Sequence, residues 1–165
     1  MLEFLRRLYI YIILLLAQVL ILNHIHLFGV ATPLLYVYFA VTFHRNYPRW
    51  QVLLWCFMMG LSVDIFASTP GLAAGCLTLV GFVQTYLLEK LVPRDSAENL
   101  KASISALGFS RFATLSVSLV GIYCLLFFAL EAFSFFDVVD WVIKAVSSAV
   151  LTLVLMLVIE SLRTK

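Results

Sequence analysis

The sequence predicts an all-α integral membrane protein with six transmembrane helices and both termini in the cytoplasm. Three observations carry that prediction: the composition, the spacing of the apolar runs, and the side on which basic residues fall. Apolar residues make up 64% of the chain and charged residues 12%, against roughly 45–50% and about 25% in an average soluble domain. Mean hydropathy is +1.07. A soluble fold of 165 residues has too little interior for so many Phe, Leu and Val side chains, whereas a bilayer sets no such limit.

A spanning helix needs about 20 mostly apolar residues. Six stretches approach that: residues 4–22, 27–43, 51–67, 71–88, 111–130 and 141–160. The first follows Arg6-Arg7 in the manner of a signal peptide. No small-x-small cleavage pattern comes after it, only Asn23-His24-Ile25-His26, so an uncleaved helix is expected. The second is interrupted by Gly29 and Pro33. If Thr32 caps a helix with Pro33 at its first position, that helix covers residues 33–43 and rises about 16 Å. Residues 27–32 then enter the membrane as irregular backbone, which requires protein cover. The alternative is a Pro-kinked full span. Between the fourth and fifth spans lies the longest polar stretch, where Ser96, Asn99 and Lys101 suggest a short interfacial helix. No break is long enough to form a domain, so residues 1–165 read as a single membrane domain.

Orientation follows from the basic residues. With the N-terminus inside, six spans put Arg6, Arg7, Arg45, Arg49, Lys90, Arg94, Lys101, Arg111, Arg163 and Lys165 on the cytoplasmic side. The outer side keeps Glu131, Asp137 and Asp140, with Lys144 alone among the basic residues on the outer half. A net charge of +2, spread over short breaks, gives no footprint for nucleic acid. Cys56, Cys76 and Cys124 all fall in apolar runs without CxxC or Cys/His spacing, so neither a disulfide framework nor a zinc site is expected. No cofactor is expected either.

Ionisable residues inside spans mark sites or packing contacts. Asp64 sits one turn after Gly60 near the outer end of the third span, and Lys144 lies at matching depth in the sixth. They are candidates for an interhelical ion pair. The competing reading has Lys144 reaching the surface or pairing with Asp140, and Asp64 capping backbone in the adjoining turn. Arg111 at the inner boundary reads as a contact to lipid phosphates. His24 and His26 have alternate spacing but no third ligand, which favours a solvated loop. Ser62, Ser68, Thr69 and Thr78 surround Asp64, yet the GxSxG elbow is absent and the histidines lie in loops, so catalysis is not expected. Gly60, Gly71, Gly75 and Ala73-Ala74 permit close backbone approach between helices.

Four segments together resemble the rod-shape-determining MreD family of bacteria: Pro33-Leu34-Leu35-Tyr36, Phe43-His44-Arg45, Gly60-Leu61-Ser62-Val63-Asp64, and Ser68-Thr69-Pro70-Gly71-Leu72. The resemblance covers residues 15–91; the last two spans match in hydropathy only. Where the family often carries a Tyr-Trp pair in its second helix, this chain has Tyr38-Phe39 or Tyr36. The resemblance implies a non-enzymatic scaffold of the cell-elongation machinery in the bacterial inner membrane. Its implied partners are the single-span protein MreC, the peptidoglycan synthase pair of RodA with a class B penicillin-binding protein, and, indirectly, MreB filaments. The family also resembles, distantly, the six-helix substrate-binding subunits of energy-coupling-factor transporters. A solute- or lipid-binding transporter subunit is therefore the alternative. The short apolar outer loops, with Phe133, Phe135 and Phe136, favour the scaffold. On that reading the residues that build the partner face or its support are Pro33, Gly60, Asp64, Pro70, Gly71, Gly75 and Lys144.

Overall fold

The computed structural model describes residues 1–22, 32–92, 102–132 and 138–164, and among these there is helix but no strand. Helix α1 (Leu2–Leu16) continues through a π-helical turn at Ala17–Ile21. It is followed by α2 (Val37–Val41), α3 (Arg49–Ala67), α4 (Leu72–Leu91), α5 (Ile104–Leu107), α6 (Phe109–Ala132) and α7 (Val138–Thr164). Five helices are long and apolar enough to cross a membrane: Leu2–Ile21, Arg49–Ala67, Leu72–Leu91, Phe109–Glu131 and Val138–Arg163. The expectations at His24, His26, Gly29, Ser96, Asn99, Lys101, Phe133, Phe135 and Phe136 lie outside the described residues. Within the polar stretch, the described helical turn starts at Ser103, whose hydroxyl accepts from the N–H of Ala106.

The second expected span takes a different form. Thr32 is not a helix cap and Pro33 is not the first residue of a helix; α2 has only five residues. The carbonyl of Pro33 accepts from the Gln18 side chain at 3.0 Å instead of starting a helical ladder. The chain then tightens through three-residue turns, Val37 N–H to Leu34 O, Tyr38 N–H to Leu35 O and Phe39 N–H to Tyr36 O. A side-chain amide has outcompeted the backbone donor that an α-helix from Pro33 would have used. The segment still returns the chain along α1: Pro33 meets Gln18, whereas His44 meets Arg7.

Residues 33–41 are all buried, packed against α4 and α6. These two helices form the middle of the bundle, with 44% and 39% of their apolar windows covered, against 17% for α1 and 22% for α7. Helices α3 and α4 form a hairpin in contact along its length. Gly60 touches Ala73 and Ala74 at one end, Gly81 packs on Cys56 and Val52 in the middle, and Arg49 pairs with Glu89 at 3.2 Å at the other end.

The irregular entry of the second segment depends on a few side chains. The Gln18 amide donates to Pro33 O and accepts from Leu35 N–H, so Gln18→Leu strands two backbone groups. Each buried orphan costs about 1–3 kcal/mol. Thermal denaturation in detergent should show a loss of about 2–6 kcal/mol. An unchanged melting temperature would mean that water reaches these groups.

Candidate functional site

Two polar constructions stand out in an otherwise apolar bundle. The first joins α3 to α4. Helix α3 ends at Ser68, which adopts a left-handed conformation with φ 58°. The N–H groups of Ser68 and Thr69 both donate to the backbone carbonyl of Asp64. The Asp64 carboxylate turns the other way. Its Oδ1 accepts from Ala73 N–H and from the Thr69 hydroxyl, and its Oδ2 accepts from Ala74 N–H, all at 2.9 Å. Leu72 N–H donates to Thr69 O and Gly75 N–H to Gly71 O. Every donor of the first turn of α4 is therefore occupied, so the helix starts with no orphan N–H. One residue finishes one helix with its backbone and starts the next with its side chain.

Gly60 and Gly71 make that geometry possible. A Cβ at Gly60 would lie 2.4 Å from Ala74 Cα and 2.7 Å from Ala73 O, so only glycine lets α3 approach the start of α4 this closely. Gly71 has φ 82°, a conformation that L side chains rarely adopt, and this bends the chain from Pro70 into α4. Gly75 is different: a Cβ there meets nothing within 4 Å, and the residue is exposed.

The expected ion pair between Asp64 and Lys144 is not formed. Asp64 is 3% exposed and engaged by α4, while Lys144 is exposed on α7. Charge-assisted bonds to a helix N-terminus are worth about 1.5–3 kcal/mol each and align with the helix dipole. An exposed lysine on another helix does not compete with two of them.

The second construction surrounds the segment around α2. Thr32 N–H donates to Ser148 Oγ at 3.2 Å, and Leu34 N–H to Thr152 Oγ1 at 3.0 Å. The Thr152 hydroxyl passes its own proton to Ser148 O. Gln18 serves Pro33 and Leu35 from α1, and Gln84 of α4 donates to Phe43 O at 3.2 Å, where the segment leaves the core. The hydroxyls of Tyr36 and Tyr123 bond to each other. Tyr38 donates to the buried Glu160, and Arg163 reaches both, at 3.3 Å to the phenol and 3.7 Å to the carboxylate. Arg7 stacks on Phe43 and Tyr47, 4.3 and 4.1 Å from the ring centres, and donates to His44 Nδ1 at 3.1 Å.

Of the residues singled out from sequence, the structure brings Gly60, Asp64, Pro70 and Gly71 into one turn and puts Pro33 in the central segment. Gly75 and Lys144 stand on exposed surfaces. Gln18, Gln84, Ser148, Thr152, Tyr123 and Glu160 escaped the sequence reading. A signal was present: Gln18, Gln84 and Glu160 are costly side chains inside apolar stretches. Among the described residues no group of His, Cys, Asp and Glu could hold a metal ion. No family model matches the chain, and no curated protein or solved structure matches it either.

The hairpin gives a graded test. Asp64→Leu strands two N–H groups and should cost about 2–6 kcal/mol, with Asp64→Asn intermediate because one acceptor survives. Gly60→Ala should cost about 1–3 kcal/mol by forcing α3 from α4, while Lys144→Gln should stay within about 0.5 kcal/mol. Unfolding in detergent measures all four. A Lys144→Gln loss as large as that of Asp64→Leu would restore the ion pair.

Proposed function

We propose that this protein is a non-enzymatic membrane scaffold of the bacterial cell-elongation machinery, holding the transmembrane helix of a single-span partner of the MreC type. Through that partner it would link to RodA, to a class B penicillin-binding protein and, indirectly, to MreB filaments. It would lie in the inner membrane with six crossings and both termini in the cytoplasm. The resemblance of residues 15–91 to the MreD family supplies the identity of the partners.

The observation that carries the scaffold reading is the outward face of α4. Gly75, Leu79, Phe82 and Tyr86 are all exposed, at successive intervals of four, three and four residues. That is the spacing of a helix seam, about 16 Å long. It begins at a glycine open to close approach, and close approach is what holds helices together in lipid, where apolar side chains gain nothing by leaving hydrocarbon. The hairpin behind this face is rigid because both of its helix ends are capped. A solute-binding subunit would need polar groups facing a pocket at the Asp64 end. There the carboxylate is engaged by α4 and Lys144 faces outward, which favours the scaffold.

The six-crossing orientation draws support from the path of residues 32–44, which run back along α1 toward Arg7. Asn46, exposed just beyond that segment, is then cytoplasmic. A cysteine at Asn46 should be shielded from an impermeant thiol reagent in intact cells, and Pro70→Cys should label. Labelling at Asn46 would reverse the orientation.

The partner face has its own test. Gly75→Leu adds bulk where nothing else in the chain is met, so it should reduce co-purification of the single-span partner by roughly tenfold or more, the effect of about 1.4 kcal/mol, and leave the melting temperature unchanged. Gly71→Leu is the poorer probe, because its positive φ couples binding to folding. Wild-type recovery of the partner with Gly75→Leu would move the binding face elsewhere.

A further inference from the structure

We infer that the cleft between the first turns of α1, residues 42–44 and the last turn of α7 binds a phosphate group, that of an anionic phospholipid. The cleft encloses about 40 Å³ and is lined by Glu3, Arg6, Arg7, Ile10, Thr42, His44 and Arg163. Three guanidinium groups and one carboxylate line it, and Arg163 is also paired with the buried Glu160. On the same measure one water needs about 10–15 Å³, so the space suits one phosphate group with an open side for its substituents.

The donors are held in place before any ligand arrives. Arg7 is 8% exposed and lies flat against Phe43 and Tyr47. A guanidinium only donates, and that of Arg7 is also held by His44 Nδ1 at 3.1 Å. Arg163 is steadied by Glu160 and Tyr38, yet it carries five N–H donors, more than those contacts use. Arg6 is exposed at the rim and free to close on an anion. Planar, forked donors suit phosphate oxygens better than point charges do.

A lipid, rather than a soluble anion, follows from what adjoins the cleft. Phe4, Leu5 and Tyr9 on α1 and Leu162 on α7 are exposed apolar side chains within two positions in sequence of the arginines that line the cleft. They offer acyl chains apolar surface beside the charged groups. Basic clefts between transmembrane helices are a recurring seat for anionic headgroups. The inference rests on the proposed orientation only for which leaflet supplies the lipid.

The test uses the full chain purified in detergent, incubated with phosphatidylglycerol or phosphatidylcholine and read by native mass spectrometry. Phosphatidylglycerol should be retained selectively. Arg6→Gln and Arg163→Gln should each weaken retention roughly tenfold, as loss of one charge-assisted bond predicts, while Lys90→Gln, exposed in the last turn of α4, should not. A wild-type melting temperature for Arg6→Gln separates lost binding from lost folding. Millimolar inorganic phosphate should leave the lipid in place; displacement would reassign the site to soluble phosphate. Equal retention of both lipids, wild-type retention by Arg6→Gln, or equal loss with Lys90→Gln overturns the proposal. Orientation plays no part in a detergent measurement, so a contrary result at Asn46 would leave this one standing.

Discussion

Inside a bilayer, each backbone N–H and C=O must find a partner within the protein, and everything distinctive here follows from the place where a helix does not supply one. Residues 32–36 run through the bundle without a helical ladder. The groups they expose are met by Gln18 from one flank and by Ser148 and Thr152 from the other. All three side chains are at most 2% exposed, so no water replaces them. Leu34 and Leu35 are thereby fixed in register, and the Tyr36 hydroxyl is brought to Tyr123. The peripheral helices α1 and α7 bury little apolar area of their own, and these polar bonds to the central segment tie them to the bundle.

The α3–α4 hairpin solves a related problem by local means. Two helices meet at a tight turn, and the stranded groups of both are collected by Asp64 within ten residues of chain. The glycine at position 60 is the steric condition and the carboxylate is the electrostatic one. Neither suffices alone: without close approach the carboxylate would not reach Ala73 and Ala74, and without the carboxylate close approach would bury bare N–H groups. The ion pairs among the described residues lie at the opposite end of the bundle, where Arg49 meets Glu89 and Arg163 meets Glu160, and there Arg7 rests on aromatic rings.

The sequence made the long helices legible because lipid imposes a length and a composition that no other environment demands. It also exposed the Gly60–Asp64–Gly71 turn, since each of those residue types is out of place in an uninterrupted apolar run. The capping role of Asp64 was one of two readings, and sequence spacing cannot decide between a partner nine residues away and one eighty residues away; geometry can. The short second segment was visible in Pro33 and Gly29, but its helix starts at Val37, because the Gln18 amide intercepts the Pro33 carbonyl. That bond joins two helices, and nothing near Pro33 announces it. Ser148 and Thr152 are quieter still, as hydroxyls in membrane helices commonly bond to their own backbone, and Thr152 does so as well.

The bonds from Thr32 to Ser148 and from Leu34 to Thr152 join residues 116 and 118 positions apart. At a synthesis rate of about 5–20 residues per second, the second segment leaves the ribosome roughly 6–23 s before its partners on α7 exist. The hairpin, with its contacts close in sequence, can settle during that interval. Residues 32–34 cannot: the N–H groups of Thr32 and Leu34 must stay with water, or with the insertion machinery, until α7 arrives. Membrane entry of this chain is thus out of order, the second segment to be made being the last to take its place.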